Sequence, residues 1–76
     1  MLTLNLNRLK AERVAQGYTQ ASLAATMGKK RNWYAKRENG ICDFGVDDFT
    51  KIVDKLGFSK NDISIFFENS VPERER

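Results

Sequence analysis

Between Tyr18 and Gly40 the chain reads YTQASLAATMGKKRNWYAKRENG, and this stretch constrains the fold more than any other. Thr19 is a good helix N-cap, because its hydroxyl can accept a hydrogen bond from the first free amides of the segment that follows. Leu23, Ala24 and Met27 then give a small apolar face, and Ala21, Ser22, Ala24 and Ala25 are small enough to let another helix cross closely. Gly28 can take the left-handed conformation that ends one helix and frees the chain for the next. The spacing predicts a helix over Gln20 to Met27, a turn at Gly28 and a second helix over about Lys30 to Glu38. That is a helix-turn-helix arrangement.

The remainder must supply a core for this pair within 76 residues, enough for one domain. A chain of this size buries only roughly 60% of its unfolded surface, so the core must be compact, and a second copy or a partner would add to it. Leu2, Leu4 and Leu6 alternate with polar residues, the pattern of a short strand or extended arm, packed on the body or used in a dimer contact. Leu6, Leu9, Ala11, Val14, Ala15 and Tyr18 follow at helical spacing and predict a first helix over about Leu6 to Gln16, stopped by Gly17. Ile41 to Gly45 is a loop anchored by Phe44. Val46, Phe49, Ile52, Val53 and Leu56 form one apolar stripe, with Asp47 and Asp48 at its start and Lys55 near its end, as the helix dipole favours. Ser59 can cap a fifth helix with Asp62, and Ile63, Phe66 and Phe67 close the core. Ile65 falls off that face. With Val71 it supplies exposed apolar surface for a dimer seam or a docking site, or else stands as an isolated surface residue. The expected fold is all-α, a compact five-helix domain over residues 1–70, followed by a flexible charged tail over 71–76.

Histidine is absent and Cys42 is the only cysteine, so one chain can assemble no zinc cluster, histidine base or disulfide framework. No catalytic residue, metal ligand or cofactor site is assigned, and Cys42 reads as a small, partly buried loop residue rather than a redox or catalytic group. There is no long apolar run to span a membrane or serve as a signal peptide, which makes a cytoplasmic setting with Cys42 reduced the simplest expectation. Charge is polarised along the chain. Residues 1–40 carry eight basic side chains against Glu12 and Glu38, a balance of +6, whereas residues 41–76 carry five basic against eight acidic, a balance of −3. An asymmetric basic surface is the footprint of a polyanion partner, although a solvated basic face would carry the same charges.

At about 100° per residue, Trp33, Tyr34 and Arg37 fall on one side of the third helix, and Arg31, Asn32, Ala35 and Lys36 on the other. The second side has no large apolar group and must face water or a polar partner. Arginine can fork onto guanine O6 and N7, asparagine onto adenine, and alanine can touch a thymine methyl. Lys29 and Lys30, ahead of the first turn, can neutralise phosphates, which adds affinity without sequence information.

Leu9-Lys10, Gly17-Tyr18-Thr19-Gln20, Leu23-Ala24, Gly28, Glu38-Asn39-Gly40 and Leu56-Gly57-Phe58-Ser59 together resemble the Cro/repressor-type, or XRE-like, helix-turn-helix family over roughly residues 6–67. The resemblance implies a lambda-repressor-like five-helix domain whose third helix enters the major groove of double-stranded DNA. It implies a backbone contact from Gln20, base reading from Arg31, Asn32 and Trp33 with Lys36 one turn on, and a phosphate contact from Asn39. It further implies that Glu38 pairs with a basic residue of the first helix, here Arg13, in a structural role. The sequence departs from the family at Tyr34, usually aliphatic, and at Arg37, usually apolar. Arg37 can lay its stem past the core with its guanidinium against Trp33 or Tyr34.

The resulting expectation is a small phage or bacterial transcriptional repressor that occupies a DNA operator and performs no chemistry. As a homodimer it would place two recognition helices in half-sites about 34 Å apart. The alternative is an antirepressor or co-repressor that uses the same fold to bind a second regulator protein. Trp33 and Arg37 are of the types that dominate protein interfaces, and with Ile65 and Val71 they are its candidate partner-binding residues.

Overall fold

The computed structural model describes residues 2–69, with side chains except those of residues 2, 3, 60, 68 and 69. The chain runs through β1 (Leu2–Leu4), α1 (Leu6–Ala15), α2 (Gln20–Thr26), α3 (Arg31–Glu38), α4 (Val46–Lys55), a 3-10 helix (Lys60–Phe66) and β2 (Phe67–Asn69). The five-helix, all-α expectation holds. The alternating leucines add a short antiparallel ribbon, in which Leu2, Thr3 and Leu4 face Asn69, Glu68 and Phe67. β1 thus pairs with the end of its own chain. The expected tail at 71–76 and Val71 lie outside the described residues.

Local chemistry sets the helix ends. The Thr19 hydroxyl accepts from the Ser22 N–H at 2.9 Å while the Ser22 hydroxyl accepts from the Thr19 N–H at 2.8 Å, a reciprocal box at the start of α2. Gly28, at φ 70°, lets the Lys29 N–H reach the Ala24 carbonyl and its own N–H reach that of Ala25, each at 3.0 Å. This pair of bonds recurs where α1, α3 and α4 end. Ser59 and Asp62 form the expected box ahead of the 3-10 helix.

The core is built from Leu9, Leu23, Ala24, Tyr34, Phe49, Ile52, Val53, Leu56 and Phe66. Aromatic contacts run through it: Tyr34 to Phe44 at 6.0 Å, Phe44 to Phe49 at 5.8 Å, Phe49 to Phe66 at 5.7 Å and Phe66 to Phe58 at 5.3 Å. Phe44 anchors its loop as expected, and α3 is joined by tilted and edge-on rings to the far end of the chain.

Three apolar assignments need correction, while Phe67 packs against the core as expected. Val14 is 58% exposed, because the inward position of α1 next to it belongs to Arg13. Val46 is 83% exposed, since the first residue of α4 precedes the turn at which the stripe meets the core. Ile65 is half-buried and packed on the core rather than left on the surface. A 3-10 helix turns about 120° per residue instead of about 100°, which redistributes Ile63, Ile65 and Phe66 around the axis. Phe67 leaves the helix altogether for β2.

The one buried ion pair among the described residues fixes α3 on this core. Arg13 Nε donates to Glu38 Oε2 at 2.7 Å, Nη2 to Glu38 Oε1 at 3.1 Å and Nη1 to the Tyr18 carbonyl at 2.7 Å. Gln20 Nε2 donates to Glu38 Oε1 at 3.0 Å, so one carboxylate ties α1, α2 and α3 together. The buried Tyr34 hydroxyl lies alongside, close enough to feel the pair but outside hydrogen-bond geometry. Burial, with the neighbouring Glu38 charge, pushes its pKa up. Burial alone would also raise Glu38. The Arg13 bonds, the adjacent phenol and Gln20 outweigh it and hold the carboxyl below the ordinary glutamate value.

Phe66→Ala is expected to lower the unfolding free energy by about 3–5 kcal/mol in urea melts, whereas Val46→Ala should change it by less than about 0.5 kcal/mol. Glu38→Ala strands Arg13 in the core, and its expected cost is about 3–5 kcal/mol. Because the native Glu38 pKa is depressed, its contribution is present above the unfolded-state value and is lost as pH falls through the native value. Stability measured by urea melts should therefore decline below pH 4.5, and Glu38→Gln should flatten that acid limb.

Candidate nucleic-acid interface

An eight-residue helix is marginal alone in water, so the direction of α3 is set by what it buries. Tyr34, Ala35 and Glu38 face inward. Ala35 was expected on the outward side with Arg31, Asn32 and Lys36. It is buried instead, because at about 100° per residue it lies about 60° from the inward Glu38 and about 100° from Lys36. The outward surface is therefore centred on Lys36, flanked by exposed Asn32 on one side and half-exposed Trp33 on the other. Arg31 is exposed at the first turn, where the guanidinium Nη1 lies 3.5 Å from Asn32 Oδ1.

Three cations gather where α3 begins. Lys29 and Arg31 are exposed, and Lys30 is the N-cap but makes no side-chain capping bond, so the opening amides of α3 are left to solvent or a ligand. Lys29 Nζ sits 5.4 Å from the Trp33 ring centroid and Arg37 Cζ sits 4.3 Å from it, so the indole is flanked by two cations along the helix. Arg37 Nη1 also donates to the Trp33 carbonyl at 2.9 Å. The expected stacking of Arg37 on an aromatic ring is thus present, and Trp33 is its partner. The indole meets the Phe44 ring edge-on at 6.4 Å.

Gln20 is half-buried at the start of α2, and one of its two amide hydrogens is committed to Glu38. The other has no acceptor among the described residues. Asn39 caps the C-terminus of α3 and is exposed. The structure therefore brings Lys29, Lys30, Arg31, Asn32, Trp33 and Lys36 together on or beside one helix face. Gln20 and Asn39 lie at its margins, and Ile65 belongs to the core elsewhere.

Beyond Gly40 the surface changes character. Ile41 is 73% exposed, Asp43 and Asp47 are exposed, and Val46 projects beside them. Periodicity did not mark Ile41, which follows a helix-ending glycine and precedes the next stripe. The only signal was an apolar residue in an otherwise polar turn. No helix among the described residues is long and apolar enough to cross a membrane.

A helix-turn-helix family model matches residues 9–63, which starts within α1, spans α2 to α4 and enters the 3-10 helix. No curated protein and no solved structure gave a match. With that match over most of its length, and with a cation-rimmed helix held outward on an Arg13–Glu38 clamp, the chain belongs to the Cro/repressor-type helix-turn-helix family of DNA-binding regulators.

Proposed function

We propose that this protein is a sequence-specific transcriptional repressor of the phage or bacterial kind, acting in the cytoplasm by occupying a DNA operator. The observation that carries this reading is the outward face of α3, polar and cationic along its length while its inner face is locked by buried Tyr34, Ala35 and Glu38. Asn32 and Lys36 are the base readers at its centre, with Arg31 reaching from the first turn. Lys29 and Lys30 neutralise phosphates at one groove wall, joined by the free Gln20 amide hydrogen, and Asn39 approaches the backbone at the other end. Trp33 presents an aromatic edge beside Lys36 and stiffens the cations stacked on it. Residues 1–70 act as the DNA-binding unit and 71–76 as a charged extension. A homodimer would set two copies of α3 into successive major-groove segments about 34 Å apart.

A second reading, an antirepressor or co-repressor that docks on another regulator, draws on a different observation. The rim after α3 combines exposed Ile41 and Val46 with Asp43 and Asp47 and offers no cation to the neighbouring DNA strand. Repulsion of phosphates there would limit contacts to one flank of the helix.

Selection from random duplexes should recover one preferred site. On that site Lys36→Ala and Asn32→Ala should each cost about 1–3 kcal/mol and relax preference at a single position. Lys30→Ala should weaken all sequences alike and reduce the slope of log K against log salt by about one. Recovery of no preferred site, together with capture of a second purified regulator, would favour the antirepressor reading.

A further inference from the structure

We propose that the cleft between β1 and the loop after α3 binds an acidic side chain flanked by apolar residues, presented by a partner protein, with Arg37 forking onto its carboxylate. The proposal does not rest on the DNA-binding reading, because it uses the side of α3 that turns away from Lys36.

The starting observation is an unsatisfied cation. Arg37 is half-buried, and its Nη1 is engaged by the Trp33 carbonyl. Its Nε is buried without a hydrogen-bond partner. The ion pairs among the described residues are Arg8–Glu12 and Arg13–Glu38, so no described carboxylate pairs with Arg37. The indole at 4.3 Å shields one face of the guanidinium and supplies no formal charge. The buried Nε–H is closed to an incoming group, and the charge it belongs to gains from an anion only at the accessible end of the guanidinium. Nη2 is neither buried nor bonded among the described residues, and with the second hydrogen of Nη1 it forms the end-on edge through which arginine holds a carboxylate with parallel hydrogen bonds.

Arg37 opens onto a cleft of about 230 Å³, walled by Leu4, Leu6, Gly40, Cys42 and Phe44. Gly40 matters to its shape through its backbone: at φ 82° it takes the left-handed conformation that turns the loop past Leu6 at the start of α1. The volume suits one or two side chains, and the walls are mostly apolar. Such a cavity, with Arg37 as its cation and Asp43 at its exposed rim, fits an acidic residue between apolar neighbours, the mixed character of an interface pocket with an arginine anchor.

DNA phosphate has the same oxyanion chemistry, and the surroundings disfavour it. Asp43 lines the same cleft, no lysine does, and exposed Asp47 lies on the following helix. A duplex brings a row of charges to such a rim, whereas a single carboxylate meets Asp43 once and gains the apolar walls. The exposed side chain of Ile41 next to the cleft extends the apolar surface available to a protein segment.

The test uses the full chain and two capped peptides, acetyl-Leu-Glu-Leu-amide and acetyl-Leu-Gln-Leu-amide, followed through the Arg37 Nε–H resonance and the fluorescence of Trp33, the sole tryptophan. The glutamate peptide should shift the Arg37 Nε–H and bind about tenfold more tightly than its glutamine counterpart, the difference made by hydrogen bonds to a charged group. Arg37→Lys, which keeps the charge and loses the fork, should abolish the preference. Asp43→Asn, at an exposed position, should tighten the glutamate peptide about two- to threefold by removing a like charge, and keeps the test decisive if Arg37→Lys does not fold. Equal binding of the two peptides, a still Arg37 resonance, or no gain in Asp43→Asn would overturn the proposal. So would a duplex that moves the Arg37 Nε–H when neither peptide does, which would make Arg37 a phosphate contact.

Discussion

The buried pair of Arg13 and Glu38 is the interaction on which the rest of this structure depends. Two charges taken out of water are tolerated only with close geometry and further donors, and both are present: two guanidinium bonds at 2.7 and 3.1 Å, and the Gln20 amide at 3.0 Å. Glu38 lies in the last turn of α3, Arg13 in the last turn of α1 and Gln20 in the first turn of α2. A single carboxylate therefore sets the rotation of the short recognition helix against both neighbours. Tyr34 adds depth to that anchor, since its ring fills the core and its hydroxyl sits against the pair. The Tyr34 ring thus reaches both the core aromatics and the ion pair.

That anchoring divides α3 into working edges. The edge centred on Lys36 faces outward, with the cations of Lys29, Lys30 and Arg31 ahead of it. A second edge carries Trp33 and Arg37, stacked on each other and directed toward Phe44 and the loop beyond Gly40. The charge polarisation along the sequence becomes spatial at this helix. Its start is cationic, and the loop beyond its end is apolar and acidic. The two edges suit different partners in the functions proposed above, a groove lined by phosphates for the first and a segment with a single carboxylate for the second.

Much of this was legible in the residues. Thr19, Gly28 and Gly57 act through local backbone chemistry, which sequence spacing captures, and the helices follow within a residue or so. The Arg13–Glu38 pair came from family resemblance, since nothing in local spacing links residues 25 positions apart. Misreadings arose where tertiary context overrode a local rule. Val14 gave up the inward position to a paired arginine, and Ala35 was placed by a wheel with no knowledge of where the core lay. Ile65 turned inward because the last helix is wound as 3-10. The alternating leucines announced a strand without naming its partner, because pairing over more than 60 residues leaves no local trace. In the candidate site the cationic cluster was readable from charge. The commitment of Gln20 to Glu38 and the unmet demand of Arg37 were not, because both depend on which atoms are buried together.

The central claim is that α3 presents its Lys36 edge to DNA while the Arg13–Glu38 clamp holds its inner edge in place. Backbone amide resonances followed through titration with a selected operator duplex test this most directly. The account predicts large shifts at Gln20, Lys29 to Trp33, Lys36 and Asn39, with the Arg13 and Glu38 amides and the Arg13 Nε–H little changed. Shifts concentrated on Ile41 to Asp47, with Asn32 and Lys36 unmoved, would contradict it.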